Sequence, residues 1–187
     1  RIIWGNHMQR LSVLGGSGRW NALLLLASLV IAPASWADLQ RLPQMQTVGT
    51  ASLSVLWFDI YDAELQNPTG SFAGVKGPLM LKLNYLRDIS QKKLLDETRS
   101  QLISQIQLAK QPQMVKRWLR ELEAIWPSIR KGDQLAFYLD PTGTGHFYHN
   151  ERYLGSVSDE LFGISFLGIW LAEDSDYPQK ARQLRGQ

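Results

Sequence analysis

The chain has 187 residues, 44% of them apolar and 20% charged, which suits one packed domain and excludes wholesale disorder. It has no cysteine, which removes disulfides, thiolate metal sites and a cysteine nucleophile, and its three histidines leave little material for a metal centre. The formal net charge is +3, and where that charge sits matters more than its size.

Ala22 to Ala32, ALLLLASLVIA, is an apolar run too short for a comfortable membrane span, which takes roughly 20 residues. Arg10 and Arg19 precede it, and Pro33 and Ser35-Trp36-Ala37 follow. A positive start, a short apolar centre and small residues at −3 and −1 predict a secretory signal peptide cleaved after Ala37. Met8 is the expected initiator, Arg1 to His7 reading as a leader, and an uncleaved anchor is the alternative. Arg1, Arg10 and Arg19 are the only charged residues before Asp38. The remainder is therefore electrically balanced, with 17 acidic groups and as many basic ones. No basic surplus is left for phosphates, which argues against nucleic-acid binding. The expected division is 1–37 as leader and signal and 38–187 as a single domain, periplasmic or secreted, with no stable membrane span after cleavage.

Asp38 to Gln46 is polar and reads as a surface arm. VGTASLSVLWFDIYDAEL, residues 48–65, mixes β-branched and aromatic residues in broken alternation, predicting two strands or one bent strand, with a bulge at Trp57-Phe58. Turn chemistry follows at Asn67-Pro68-Thr69-Gly70 and Gly77-Pro78. Leu79, Leu81, Leu83 and Tyr85 then alternate with polar residues, the signature of a half-buried strand. Ser90 is a candidate cap for a helix carrying Leu94, Leu95, Thr98, Leu102 and Ile106 and running to Pro112. Pro112 opens a second helix with Met114, Val115, Trp118, Leu119, Leu122 and Ile125 on one face, and Pro127 stops it.

Lys131-Gly132-Asp133 turns into the strand QLAFYL, and HFYH and RYLGSV follow as a hairpin about Asn150-Glu151. Ser158 is the expected cap of the helix LFGISFLGIWLA, apolar nearly all round and so expected to be buried. The tail from Glu173 is polar, with room for one short helix. The pattern predicts an α+β domain on an antiparallel sheet.

No catalytic set is recognisable, so catalytic residues stay unassigned. His146 and His149, three apart on a strand, should face opposite ways and cannot easily share a metal. Asp62 and Glu64 should share a strand face, where a solvated surface explains them as well as acid–base work does. Glu173, Asp174 and Asp176 lack the remaining ligands of a calcium loop. Thr142 to Gly145 is not followed by the lysine or the helix of a phosphate cradle. Neither a metal nor a cofactor is expected. Trp57, Tyr61, Tyr85, Arg87 and Trp118 are the candidate ligand-binding residues: either core aromatics, or the lining of a cleft between sheet and helices in which a phenol or guanidinium orients a polar group of an apolar ligand.

The order of the segments VGTASL…FDIYDAEL, LKLNYLRDIS, KGDQLAFYLDPTGTG and FLGIWLAED resembles the bacterial, exported branch of the chalcone isomerase-like family, over residues 45 to 187. That resemblance implies an open-faced β-sandwich: a large curved antiparallel sheet covered on one side by helices, with a ligand cleft between the layers. It also implies either closure of a chalcone ring or, in non-catalytic members, binding of fatty acids. The cyclising members use an Arg on an early strand, and no Arg occurs between Val48 and Tyr61. Their early Thr falls near Leu56, and their late-helix Thr or Ser near Gly168 or Ile169. The expected function is therefore binding of a small apolar or amphipathic molecule, fatty-acid-like or aromatic. The alternatives are an intramolecular lyase of altered catalytic set, built on Tyr61, Tyr85 and Arg87, and an envelope interaction protein.

Overall fold

The computed structural model describes residues 42–55 and 58–187. The expected signal segment, its cleavage site and Trp57 lie outside the described residues.

Six strands form one antiparallel sheet in sequence order: β1 (Gln46–Val55), β2 (Phe58–Asn67), β3 (Leu79–Tyr85), β4 (Gln134–Leu139), β5 (Gly145–His149) and β6 (Arg152–Val157). Residues 48–65 are thus two strands of a hairpin. Val55 opposes Phe58 in that hairpin, and Trp57, half of the expected bulge, lies outside the described residues. The register does slip, but earlier, between Leu53 and Ser54, where Ile60 is the extra residue on β2. The turn between β5 and β6 falls at Asn150 and Glu151, as expected, with φ of 48° and 67°. Positive φ at both centres matches the strand twist, and Asn150 anchors the bend by donating to Asp133 (2.8 Å) and accepting from the Gln134 amide (2.8 Å).

Between β3 and β4 run α1 (Gln91–Ser104), the single turn α2 (Ile106–Ala109) and α3 (Pro112–Ile125). Ser90 caps α1 by accepting from the Lys93 amide. The helix breaks at Gln105, which is extended, rather than continuing to Pro112. After the sheet come α4 (Glu160–Leu171) and α5 (Pro178–Leu184). The cap of α4 is Asp159 rather than Ser158: its carboxylate accepts from the Leu161 amide and also from Arg117 (2.8 Å) and the Trp118 indole (2.9 Å). A carboxylate at that position also suits the positive end of the helix dipole. Contrary to its all-round apolarity, α4 is not wholly buried. Leu161 and Ile164 are half exposed, while Phe162, Phe166, Leu167 and Leu171 face inward.

All helices pack on one face of the sheet. Leu65, Leu79, Leu81, Leu83, Phe137 and Phe147 meet Leu94, Leu102, Trp118, Leu122, Phe162 and Phe166 there. Phe137, Phe147, Phe162 and Phe166 form an aromatic cluster with centroids 4.8–6.2 Å apart. The other face carries a small cluster of Met80, Ala136, Tyr138 and Tyr148, on which Leu42 and Met45 lie as a strap. The expected surface arm is anchored there by these two apolar side chains. No helix among the described residues is long and apolar enough to cross a membrane.

Candidate functional site

The helical layer does not close evenly on the sheet. Leu65, Leu79, Leu81 and Phe137 fill one part of the interface with bulk. Toward the β1 side, Ala51 and Ala63 pair across β1 and β2, and the same row continues through Leu83 and Leu135. Two adjacent alanines lower the floor. A cavity of about 630 Å³ lies above them, walled by Leu94 and Thr98 of α1, by Phe166, Ile169 and Trp170 of α4, by Leu184 of α5, and by Trp126. That volume is within the roughly 300–1,000 Å³ typical of small-molecule sites. Its rim is polar: Arg87, Asp88, Ser90, Lys93 and Glu97 line it and are exposed.

Two phenols project into this space from neighbouring strands. Tyr61 and Tyr85 are register partners and meet edge to face, with centroids 5.6 Å apart. The Trp170 indole donates to the Tyr61 hydroxyl at 2.8 Å, tying β2 to α4 across the cavity. Burial drives the Tyr61 phenol well above the ordinary tyrosine range, only partly offset by the Trp170 hydrogen bond, and burial does the same to Tyr85. Both therefore stay protonated: they are hydrogen-bond donors, not bases.

Of the five residues expected at a cleft, the structure brings Tyr61, Tyr85 and Arg87 to one cavity. Trp57 lies outside the described residues. Trp118 does not line the cavity. It is fully buried against Phe162 (5.5 Å), its N–H on Asp159, and so belongs to the solid core. The sequence reading missed Trp126, Trp170, Thr98 and Ser175, which come from separate helices and loops. The paired alanines were the one local signal available, because small residues inside otherwise bulky strands mark a hollow.

The other candidates are tied down away from the cavity. His146 pairs with Asp140 (2.9 Å) and His149 with Asp133 (3.0 Å), from opposite faces of β5. Asp62 accepts from Ser52, and Glu64 from Thr47 and from Gln66 (2.9 Å), all close to the strand surface. Among the described residues no group of three or more His, Asp or Glu side chains is placed to hold a metal ion.

A single antiparallel sheet with helices on one face and an apolar pocket between the layers defines an open-faced α+β fold. Residues 44–181 match the model of the chalcone isomerase-like family, and the chain belongs to that family. A Haemophilus influenzae protein, itself described as uncharacterized, is 28% identical over 162 residues, 86% of this chain and 78% of that protein. The crystal structure of a fatty-acid binding protein from Arabidopsis thaliana superposes with a TM-score of 0.58 at 12% identity. The match covers 83% of this chain and 91% of that one, a likeness of fold.

Proposed function

We propose that this protein is an exported, non-catalytic carrier of a small amphipathic molecule, held between the sheet and α1, α4 and α5. The observation that carries the reading is the cavity itself, about 630 Å³ with a predominantly apolar wall and a charged rim. Apolar area removed from water contributes about 25 cal/mol per Å², so a guest whose body is enclosed there gains most of its affinity from burial. The rim, where Arg87, Lys93 and Lys180 stand against Asp88 and Glu97, leaves a small excess of positive charge for an anionic or polar head. The fold likeness to a fatty-acid binding protein supports the same class of guest. Export rests on the signal-like segment before Asp38.

An isomerase would need an ionisable base beside the guest. Tyr61, Tyr85 and Arg87 do share the cavity, but burial holds both phenols in the neutral form, and the carboxylates that line it, Asp88 and Glu97, stand at the exposed rim rather than beside an enclosed guest. Carriage without chemistry is the better reading. Organic extraction of the purified protein followed by mass spectrometry, with titration by a fluorescent fatty acid, tests it. A stoichiometric guest and saturable binding are expected. An empty extract together with no saturable binding refutes it.

A further inference from the structure

Resting on that reading, we infer that the guest is a single-chain amphiphile seated tail first with its head outside the mouth, so that a lysolipid with a large head is carried about as well as a free fatty acid. The observation behind this is where charge stands on the wall. The charged residues that line the cavity are Arg87, Asp88, Lys93, Glu97 and Lys180; the first four are exposed and Lys180 is half-buried. Among the described residues, no charged side chain lies on the buried part of the wall. That part, built from Ala51, Ala63, Leu83, Leu94, Leu135 and Phe166, is apolar. Tyr85 and Thr98 join it as neutral groups, burial keeping the phenol protonated. An ionised or zwitterionic head drawn into that space would lose its water with no counter-charge to replace it. The head therefore stays at the mouth, in contact with solvent.

The mouth reads that head only weakly. Its charges are of mixed sign, with Lys93 facing Glu97 at 3.8 Å, and ion pairs at an exposed rim are weak and screened by salt. Its cations outnumber its carboxylates, but the excess favours an anionic head by less than about tenfold. The exposed residues of the rim also set no limit on head size. The hollow limits the tail instead. At about 30 Å³ for each methylene, near the share of a water molecule in the liquid, a cavity of about 630 Å³ encloses one tail of up to about twenty carbons, not two of membrane length.

The test displaces anilinonaphthalene sulfonate from the purified protein with myristate and with myristoyl lysophosphatidylcholine, each below its micelle-forming concentration. At low salt the two midpoints should lie within about tenfold of each other, myristate the tighter, and the gap should shrink as salt is added. Ala63→Leu, which fills the floor, should weaken both probes by the same factor, because both place the same tail there. After incubation with the lysolipid or with dimyristoyl phosphatidylcholine vesicles, and gel filtration, a phosphate assay should find about one lysolipid per chain and no two-chain lipid. A lysolipid more than about tenfold weaker than myristate overturns the inference and leaves the carrier standing, since the head is then enclosed. A myristate preference that salt does not reduce does the same, by placing the carboxylate on a buried partner. Unequal effects of Ala63→Leu, or recovery of the two-chain lipid, overturn the shared single tail. Displacement by neither probe refutes the carrier reading itself, and the inference with it.

Discussion

Replacing Ala63 by leucine separates the folding role of the sheet from its role as the floor of a binding site. Ala63 is buried, faces the helices and pairs with Ala51 and Leu83, directly beneath the cavity. Leucine adds three carbons. In a close-packed interior that overpacking costs about 1–3 kcal/mol. Here the new carbons enter a space of about 630 Å³, so they are buried without displacing protein atoms. At about 0.8 kcal/mol per buried CH₂, Ala63→Leu should leave stability unchanged or raise it by up to ~2 kcal/mol. The same carbons occupy room that the guest would use, and an equal loss of burial weakens binding by about 2 kcal/mol, roughly thirtyfold. Urea unfolding and titration with a fluorescent fatty acid, run on the same preparation, measure the two effects. Affinity unchanged would mean that the guest does not sit on this floor. A loss of several kcal/mol in stability would mean that the space above Ala63 is already filled.

Trp118→Phe removes the indole donor from Asp159 and some core volume, leaving the cap of α4 to Arg117 and the Leu161 amide; a loss of about 2–4 kcal/mol is expected in urea, with little change in ligand affinity because Trp118 does not touch the cavity. Gly49→Ala drives a Cβ into the backbone carbonyls of Gln183 and Leu184, so α5 must lift from β1; a cost of about 3 kcal/mol or more and loss of amide-exchange protection across residues 178–184 are expected. Burial alone would raise the Asp140 carboxyl, but hydrogen bonds from His146, Thr142 and the Thr144 amide outweigh it and hold the group at about 2. A depressed carboxyl contributes fully above the unfolded value near 4 and loses that contribution as pH falls toward 2. Acid unfolding should therefore steepen below about pH 4, and Asp140→Asn should flatten that limb by at most ~2 kcal/mol while lowering stability at pH 7.

The elements were legible because local physics dictates them. Alternation of Leu79, Leu81, Leu83 and Tyr85 can serve only a sheet with one buried face, Pro112 and Pro127 frame a helix, and Asn150-Glu151 accepts the positive φ of a tight turn. Errors arose where two readings were locally equal. Ser158 and Asp159 both cap well, and Asp159 prevails because Trp118 and Arg117, some forty residues away, donate to it. The apolarity of α4 promised full burial, yet one sheet can cover only one side of a helix, leaving Leu161 and Ile164 outside.

The binding site divides along the same line. Sequence by itself determined the antiparallel α+β design, the electrical balance after Ala37, and two tyrosines bound to share a sheet face once their strands paired. Only the tertiary structure decided that Trp118 is core while Trp126, Trp170 and Ser175 wall a cavity. Whether an aromatic ring meets a neighbour or a void depends on which distant helix crosses above it. A hollow is a failure of two layers to touch, and no single stretch of chain records it.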